Sequence, residues 1–233
     1  MSRENIDTLY NYPHFNFSSY NLEHFEGPKV GERAPDFQAI DLNGKKIHLS
    51  DFQGKIRVLE SGSITCPVTI GTTKSMQELV KKYPDVAFLL LYVREAHPGE
   101  KISAHSSFED KFNCAQRFKE EEHVNQLILV DDLKGTIHKQ YGLFPNFTYV
   151  IDKEGYISFR TPWNVPDKLD DILNAIQEGK EDRFPEKYYF PRYKNVDLRA
   201  VPRSGWRAIL DIILSIPQGL WTLYRLSKLK DKK

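Results

Sequence analysis

Ile56-Arg57-Val58-Leu59-Glu60-Ser61-Gly62-Ser63-Ile64-Thr65-Cys66-Pro67 runs from a strand-like segment, residues 56–60, into a cysteine followed by proline. Downstream, Met76, Leu79, Val80 and Tyr83 recur at helical spacing, and Pro84 ends the pattern. The stretch therefore reads as a strand-to-helix corner with Cys66 at the helix start. Pro67 suits the first helical position, where no N–H is needed. A thiol there faces free backbone N–H groups and the positive end of the helix dipole. Both favour the thiolate, which is the nucleophilic form. Ser63 and Thr65 add hydroxyls that can hydrogen-bond the sulfur or a leaving group. The other reading of Cys66 is a small, buried, apolar cysteine in a tight corner.

Working outward, residues 37–40 and 46–49 flank Asp41-Leu42-Asn43-Gly44, where Asn-Gly supports a hairpin turn. Residues 86–93, Val-Ala-Phe-Leu-Leu-Leu-Tyr-Val, barely alternate, which predicts a strand covered on both faces. Ser106 and Glu109 are spaced as a capping box before a helix whose apolar face is Phe108, Phe112, Ala115 and Phe118. Residues 127–130 read as a strand and 133–141 as a helix closed by Gly142. Residues 147–151 and 156–159 surround a second turn, and Leu169, Ile172, Leu173 and Ile176 mark a last helix. The predicted order is hairpin, β, α, β, α, β, α, β, β, α: an α/β sandwich on one mixed sheet. An extension over residues 1–29, rich in aromatics and laid over the body, precedes a domain over 30–180. A second extension covers 181–233.

The chain has 233 residues, 33 Lys+Arg against 32 Asp+Glu, and two cysteines. That length buries a core without a disulfide or metal staple. Two cysteines exclude a disulfide scaffold and a Cys-rich metal centre. No secretory signal is expected, and no apolar run is long enough to span a bilayer as a helix. Residues 199–233 hold eight basic side chains against Asp211 and Asp231, so a basic arm follows a mildly acidic body. Residues 206–229 read as a helix pair broken near Pro217-Gln218-Gly219. Apolar bulk with Trp206, Trp221 and flanking basic residues suits a membrane surface; packing on the parent domain or on a second copy through 204–229 is the alternative. The expected location is cytoplasmic, peripheral to a membrane if that arm docks. Seven histidines show no metal spacing, no phosphate loop is present, and no nucleic-acid motif accompanies the basic arm. No metal and no nucleic acid are expected.

Cys66-Pro67-Val68-Thr69 lacks the second thiol of Cys-x-x-Cys, so internal disulfide exchange is not expected. Ser63 stands three before Cys66, as in Pro-x-x-x-Thr/Ser-x-x-Cys of peroxidases, but Leu59 replaces the proline. His97 and His105 follow the strand beside the cysteine strand, on the sheet edge where open α/β folds gather ligands. A histidine with an ordinary pKa near 6.5 can deliver a proton there at neutral pH; alternatively His97 is a solvated loop residue and His105 merely precedes a cap. Cys114 is either a resolving thiol for an oxidised Cys66 or a partly buried structural cysteine.

Gly31-Glu32-Arg33-Ala34-Pro35-Asp36-Phe37, residues 41–54 and Val150-Ile151-Asp152 resemble the peroxiredoxin/redoxin branch of the thioredoxin-like superfamily. Three blocks resemble the iodothyronine deiodinases within it. Gly62-Ser63-Ile64-Thr65-Cys66-Pro67 is similar to their Gly-Ser-x-Thr-Sec-Pro, with cysteine at the selenocysteine position. Tyr92-Val93-Arg94-Glu95-Ala96-His97 resembles Tyr-Ile-x-Glu-Ala-His. His105 to Gln116 resembles His-x-Ser-x-Glu-Asp-Arg-x-x-Ala-Ala-Gln. The likeness, over about residues 31–178, implies a thioredoxin-like fold and a thiol-dependent oxidoreductase that removes iodine from an aromatic ring. It implies Cys66 as nucleophile, with Glu95, His97 and His105 for proton delivery and substrate contact. Thr65, Ser63 and Tyr92 match the polar shell, and Arg160 an arginine that contacts substrate. No bound cofactor is implied, only an external thiol such as glutathione or a thioredoxin. The family's Ser-Asp-Gly-Trp is replaced by Gly99-Glu100-Lys101. A one-Cys peroxide reductase and a non-catalytic sensing or interaction module are the competing readings.

Overall fold

A computed structural model describes residues 10–20 and 24–230; the first nine residues of the N-terminal extension and the last lysines of the basic arm lie outside it. The elements are β1 (Gln38–Asp41), β2 (Lys46–His48), β3 (Arg57–Gly62), α1 (Pro67–Lys82), β4 (Ala87–Tyr92), α2 (Phe108–Glu121) and β5 (Leu127–Val130). They continue with α3 (Thr136–Gln140), β6 (Thr148–Ile151), β7 (Ile157–Thr161), α4 (Pro166–Gln177), α5 (Ala200–Arg203) and α6 (Trp206–Lys230). The strands form one mixed sheet in the order β2-β1-β5-β4-β3-β6-β7, the thioredoxin-like α/β arrangement the sequence implied.

Central β3 lies parallel to β4 and antiparallel to β6. Successive residues point to opposite faces, and both faces are covered. Val58 packs with Met76, Leu79, Phe88, Phe159 and Leu169, whereas Leu59 joins Phe37, Leu89, Tyr141, Phe147 and Tyr149. That double cover explains the non-alternating apolar run of β4. The register pairs Gly62 with Tyr92 at the last residue of each strand. The loop carrying Cys66 and the loop carrying Glu95, His97 and His105 therefore leave the sheet side by side.

Three local expectations are corrected. The α2 capping box falls one residue later, on Ser107 and Asp110: Ser107 Oγ accepts from the Asp110 N–H at 3.1 Å, and Asp110 accepts from the Ser107 N–H at 3.0 Å. Asp110 also accepts from the Ser106 N–H and hydroxyl, at 3.1 and 2.5 Å, so one aspartate satisfies donors that Glu109 cannot reach together. Helix α3 begins at Thr136, because Asp132 accepts the Thr136 N–H (2.9 Å) and Gly135 turns left-handed (φ +70°) under the Tyr10 ring. Finally, α6 is one continuous helix through Pro217. Proline interrupts the ladder locally, but the helix is held by packing on the N-terminal extension: Gly219 abuts Phe17 so closely that a Cβ would lie 2.6 Å from its ring.

The two extensions close over the same sheet edge. The chain after α4 crosses α1 at Gly71, where a Cβ would lie 2.5 Å from the Asn195 backbone, and the Asp197 N–H donates to the Pro67 carbonyl at 2.9 Å. Asp211 of α6 accepts from the Phe15 N–H (3.2 Å) and pairs with His14 (3.1 Å). The outer side of α6 exposes Trp206, Ile213, Leu214, Leu220 and Trp221. Among the described residues no helix is long and apolar enough to cross a membrane.

Candidate active site

Cys66 is the N-cap residue of α1, in extended conformation just before Pro67. The Thr69 hydroxyl and the N–H groups of Thr69 and Val68 all favour its thiolate. Burial outweighs them. At 2% exposure the thiol is pushed above its ordinary range, with the nearby Glu95 carboxylate adding to the effect. The donors at the helix start favour the thiolate, as expected, but in this closed arrangement desolvation of the anion exceeds what they return. The cover is specific. Val68 and Ala96 pack with Cys66, and Trp163 and Val196 lie against them. Over these the N-terminal extension lays Tyr12, whose hydroxyl donates to the Ala96 carbonyl at 2.9 Å and meets the Tyr20 hydroxyl at 2.7 Å.

Beneath the thiol loop lies a buried polar relay centred on Glu95. Its carboxylate accepts from the Thr65 hydroxyl (2.6 Å), the Thr65 N–H (3.3 Å) and the Tyr92 hydroxyl (2.5 Å), and contacts His105 Nε2 at 3.1 Å. Burial by itself would raise the Glu95 pKa, but His105 and these hydroxyl donors outweigh it and hold the carboxyl below its ordinary value. Glu95 is therefore an anion inside the protein, partnered on every side as a buried charge must be. Thr65 also accepts the His97 N–H at 3.1 Å, tying the loop after β4 to the residue beside Cys66. Tyr92, named from the sequence as a substrate contact, points inward: its hydroxyl accepts from the Ile64 N–H at 3.3 Å while donating to Glu95. It positions the thiol loop.

The remaining named residues separate. His97 is half-buried and its ring lies tilted against Phe15, ring centroids 4.2 Å apart, with a buried Nδ1 that has no partner. Burial pushes it down to about 4, so it is a neutral imidazole at pH 7, neither solvated nor a cationic acid. The Ser63 hydroxyl accepts the Ala96 N–H at 3.2 Å and so braces the neighbouring loop. Arg160 donates to Glu186 at 3.0 and 2.9 Å and to the carbonyls of Glu26, Gly27 and Pro28. Its guanidinium fastens the two extensions to β7, which departs from the substrate contact implied by resemblance. Cys114 and Cys66 are both free thiols. Cys114 lies instead with Glu95 and His105, their ligand atoms all within 4.8 Å of one another, a trio that histidine spacing did not predict.

Two contributors were missed from sequence. Thr69 occupies the position of the second thiol in Cys-x-x-Cys, and that spacing from Cys66 was the available signal for its hydroxyl reaching the sulfur. Arg94 lies under the rings of Tyr10, Tyr12 and Tyr20 at 4.7–5.1 Å and donates to the carbonyls of Tyr10 (2.8 Å) and Ser19 (3.0 Å). A cation beside Glu95 and a tyrosine-rich extension were the clue to this cation–π anchor.

A cysteine at the β3–α1 corner of this sheet defines a domain of the thioredoxin-like class. A solved structure of a putative thiol:disulfide interchange protein DsbE from Chlorobium tepidum has the same fold, with a TM-score of 0.52 at 19% identity over 64% of this chain and 98% of that one. The family model described as iodothyronine deiodinase matches residues 1–172, and the chain belongs to the iodothyronine deiodinase family, a family of oxidoreductases. Thyroxine 5-deiodinase of Gallus gallus is 31% identical over 146 residues, covering 57% of this chain and 56% of that protein. The Homo sapiens enzyme is 30% identical over 143 residues, 56% and 47% of the two chains. The chain thus spans about half the length of the curated relatives it matches.

Proposed function

We propose that this protein is a thiol-dependent reductive dehalogenase acting on an iodinated aromatic ring, with Cys66 as nucleophile. The observation that carries the reading is the Glu95–His105 pair, hydrogen-bonded to Thr65, the residue next to Cys66. In the first step the Cys66 thiolate attacks iodine. An S–I bond forms, the C–I bond breaks, and its electron pair stays on the ring carbon. A proton passes from His105 to that carbon, and the Glu95 carboxylate stabilises the histidine while it is charged. An external thiol then attacks the sulfenyl iodide, releasing iodide and leaving a mixed disulfide. A second thiol frees Cys66 as a disulfide departs. Two thiols are oxidised for each C–I bond reduced to C–H.

His97, neutral and placed at the mouth beside Phe15, serves substrate contact through its unpartnered nitrogen. The closed thiol requires Tyr12 and Tyr20 to move before a ring can approach, and the same movement rehydrates the sulfur and favours its thiolate. The test is iodide release from thyroxine and from diiodotyrosine in excess dithiothreitol, wild type beside Cys66→Ser. Release confined to the wild type supports the reading; equal release from both, or none from either, rejects it.

A further inference from the structure

We propose that Glu95, His105 and Cys114 form a binding site for a borderline divalent cation of the zinc class, independent of the Cys66 thiol. The three residues come from separate places: the loop after β4, the position two residues before the α2 cap and the second turn of α2. They offer one carboxylate oxygen, one imidazole nitrogen and one sulfur, all within 4.8 Å of one another. Mixed O/N/S sets with three protein ligands and an open fourth position suit zinc, with bonds of about 2.0–2.3 Å. Such bonds put neighbouring ligand atoms roughly 3.3–3.8 Å apart, so side-chain shifts of about 1 Å close the site.

Three further observations favour occupancy. His105 Nδ1 is buried without a partner, so the ring can carry its proton there and present Nε2, which faces Glu95 at 3.1 Å, to a cation. Glu95 already has the outer support that holds metal carboxylates in place: Thr65 and Tyr92 donate to it at 2.6 and 2.5 Å. The charge also balances. A divalent cation with one carboxylate and one thiolate is neutral overall, which limits the cost of placing it in a buried site. The metal replaces the Cys114 thiol proton, as coordination does for thiols generally. Cys114, the one partly exposed member of the trio, provides the way in. On the dehalogenase reading, occupancy removes Glu95 and His105 from proton delivery, so metal binding and turnover exclude each other; the binding itself does not depend on that reading.

The test is spectroscopic and needs no substrate. The full chain, reduced and freed of metal, is titrated with Co2+ and then with competing Zn2+, alongside Cys66→Ser, Cys114→Ala and Cys114→Ser. Thermal melting of each metal-free variant confirms that it folds. The expected result is one equivalent bound, with a sulfur-to-cobalt charge-transfer band that survives in Cys66→Ser and vanishes in both Cys114 variants. Zn2+ affinity should fall roughly 100-fold or more in the latter, because even outer partners of metal ligands are worth about 10- to 100-fold. A band that follows Cys66, or no stoichiometric binding by the wild type, overturns the proposal.

Discussion

The loop between β4 and α2 holds two histidines eight residues apart, and the two ends of that loop give the same side chain different surroundings. At the mouth, His97 sits under Phe15 with a partnerless nitrogen, and burial pushes it down to about 4. At the floor, His105 is more deeply buried and faces the Glu95 carboxylate at 3.1 Å. Burial without a charged partner penalises the His97 imidazolium, whereas contact with the Glu95 carboxylate fixes the orientation of the His105 ring. The chemistry of each histidine is thus set by whether a carboxylate was folded in beside it.

The sharpest way to break this comparison is to remove each imidazole in turn. His105→Gln should lower kcat by roughly 100- to 10,000-fold, the usual worth of a positioned acid, with little change in KM. His97→Phe should raise KM by roughly tenfold, the value of one hydrogen bond to substrate, and leave kcat nearly unchanged. Steady-state kinetics of both variants separates the roles; equal loss of kcat in the two would erase the distinction.

A smaller effect is expected at the thiol itself. Thr69→Val removes the hydroxyl that favours the Cys66 anion and should slow alkylation of Cys66 at pH 7.5 by roughly tenfold or less, the net worth of one hydrogen bond. The pH profile of iodoacetamide labelling, with Cys114→Ala as background, reads this directly. An unchanged profile would remove Thr69 from the site.

The same contrast between lone and partnered burial extends to Glu60 on β3, and there it is read in stability. Desolvation pushes this carboxyl from 4.5 up to about 7, although the Gln126 and Asn164 amides donate to it. Between those pH values the folded protein binds more protons at Glu60 than the unfolded chain does. Stability therefore falls as pH rises from about 4.5 to 7, by up to about 3 kcal/mol. Glu60→Gln should flatten this decline, because the neutral amide can pair with Asn164, whose Oδ1 has no partner. Melting temperatures at pH 5 and 7.5 test it: a decline as steep in the variant as in the wild type would place the pH dependence elsewhere.

Much of the fold was legible because its signals are local. The Asn-Gly turn, the apolar runs around Val58 and Leu89, and the Cys66-Pro67 corner needed no distant partner to be read. Tertiary overrides account for the misses. Pro217 reads as a break, yet Phe17, some two hundred residues away, packs against Gly219 and the helix continues. Ser106 and Ser107 offer the same capping spacing, and only the reach of Asp110 selects the second. At the site, residue types and loop placement located Cys66, Glu95 and His105. What sequence could not convey was the lid: that Tyr12 and Tyr20 lie over the thiol loop, that Arg94 holds them there, and that desolvation outweighs the helix start. Nor could helical spacing show that Cys114 faces Glu95 rather than solvent.

The most direct test of the central claim is a single turnover without reductant. An iodinated thyronine in excess over the wild-type protein should yield deiodinated ring in proportion to enzyme, never beyond one equivalent. One titratable thiol should be lost with each ring formed, and peptide mapping should place the loss at Cys66 while Cys114 stays free. Deiodinated ring formed without loss of the Cys66 thiol, or formed equally by Cys66→Ser, would contradict the account.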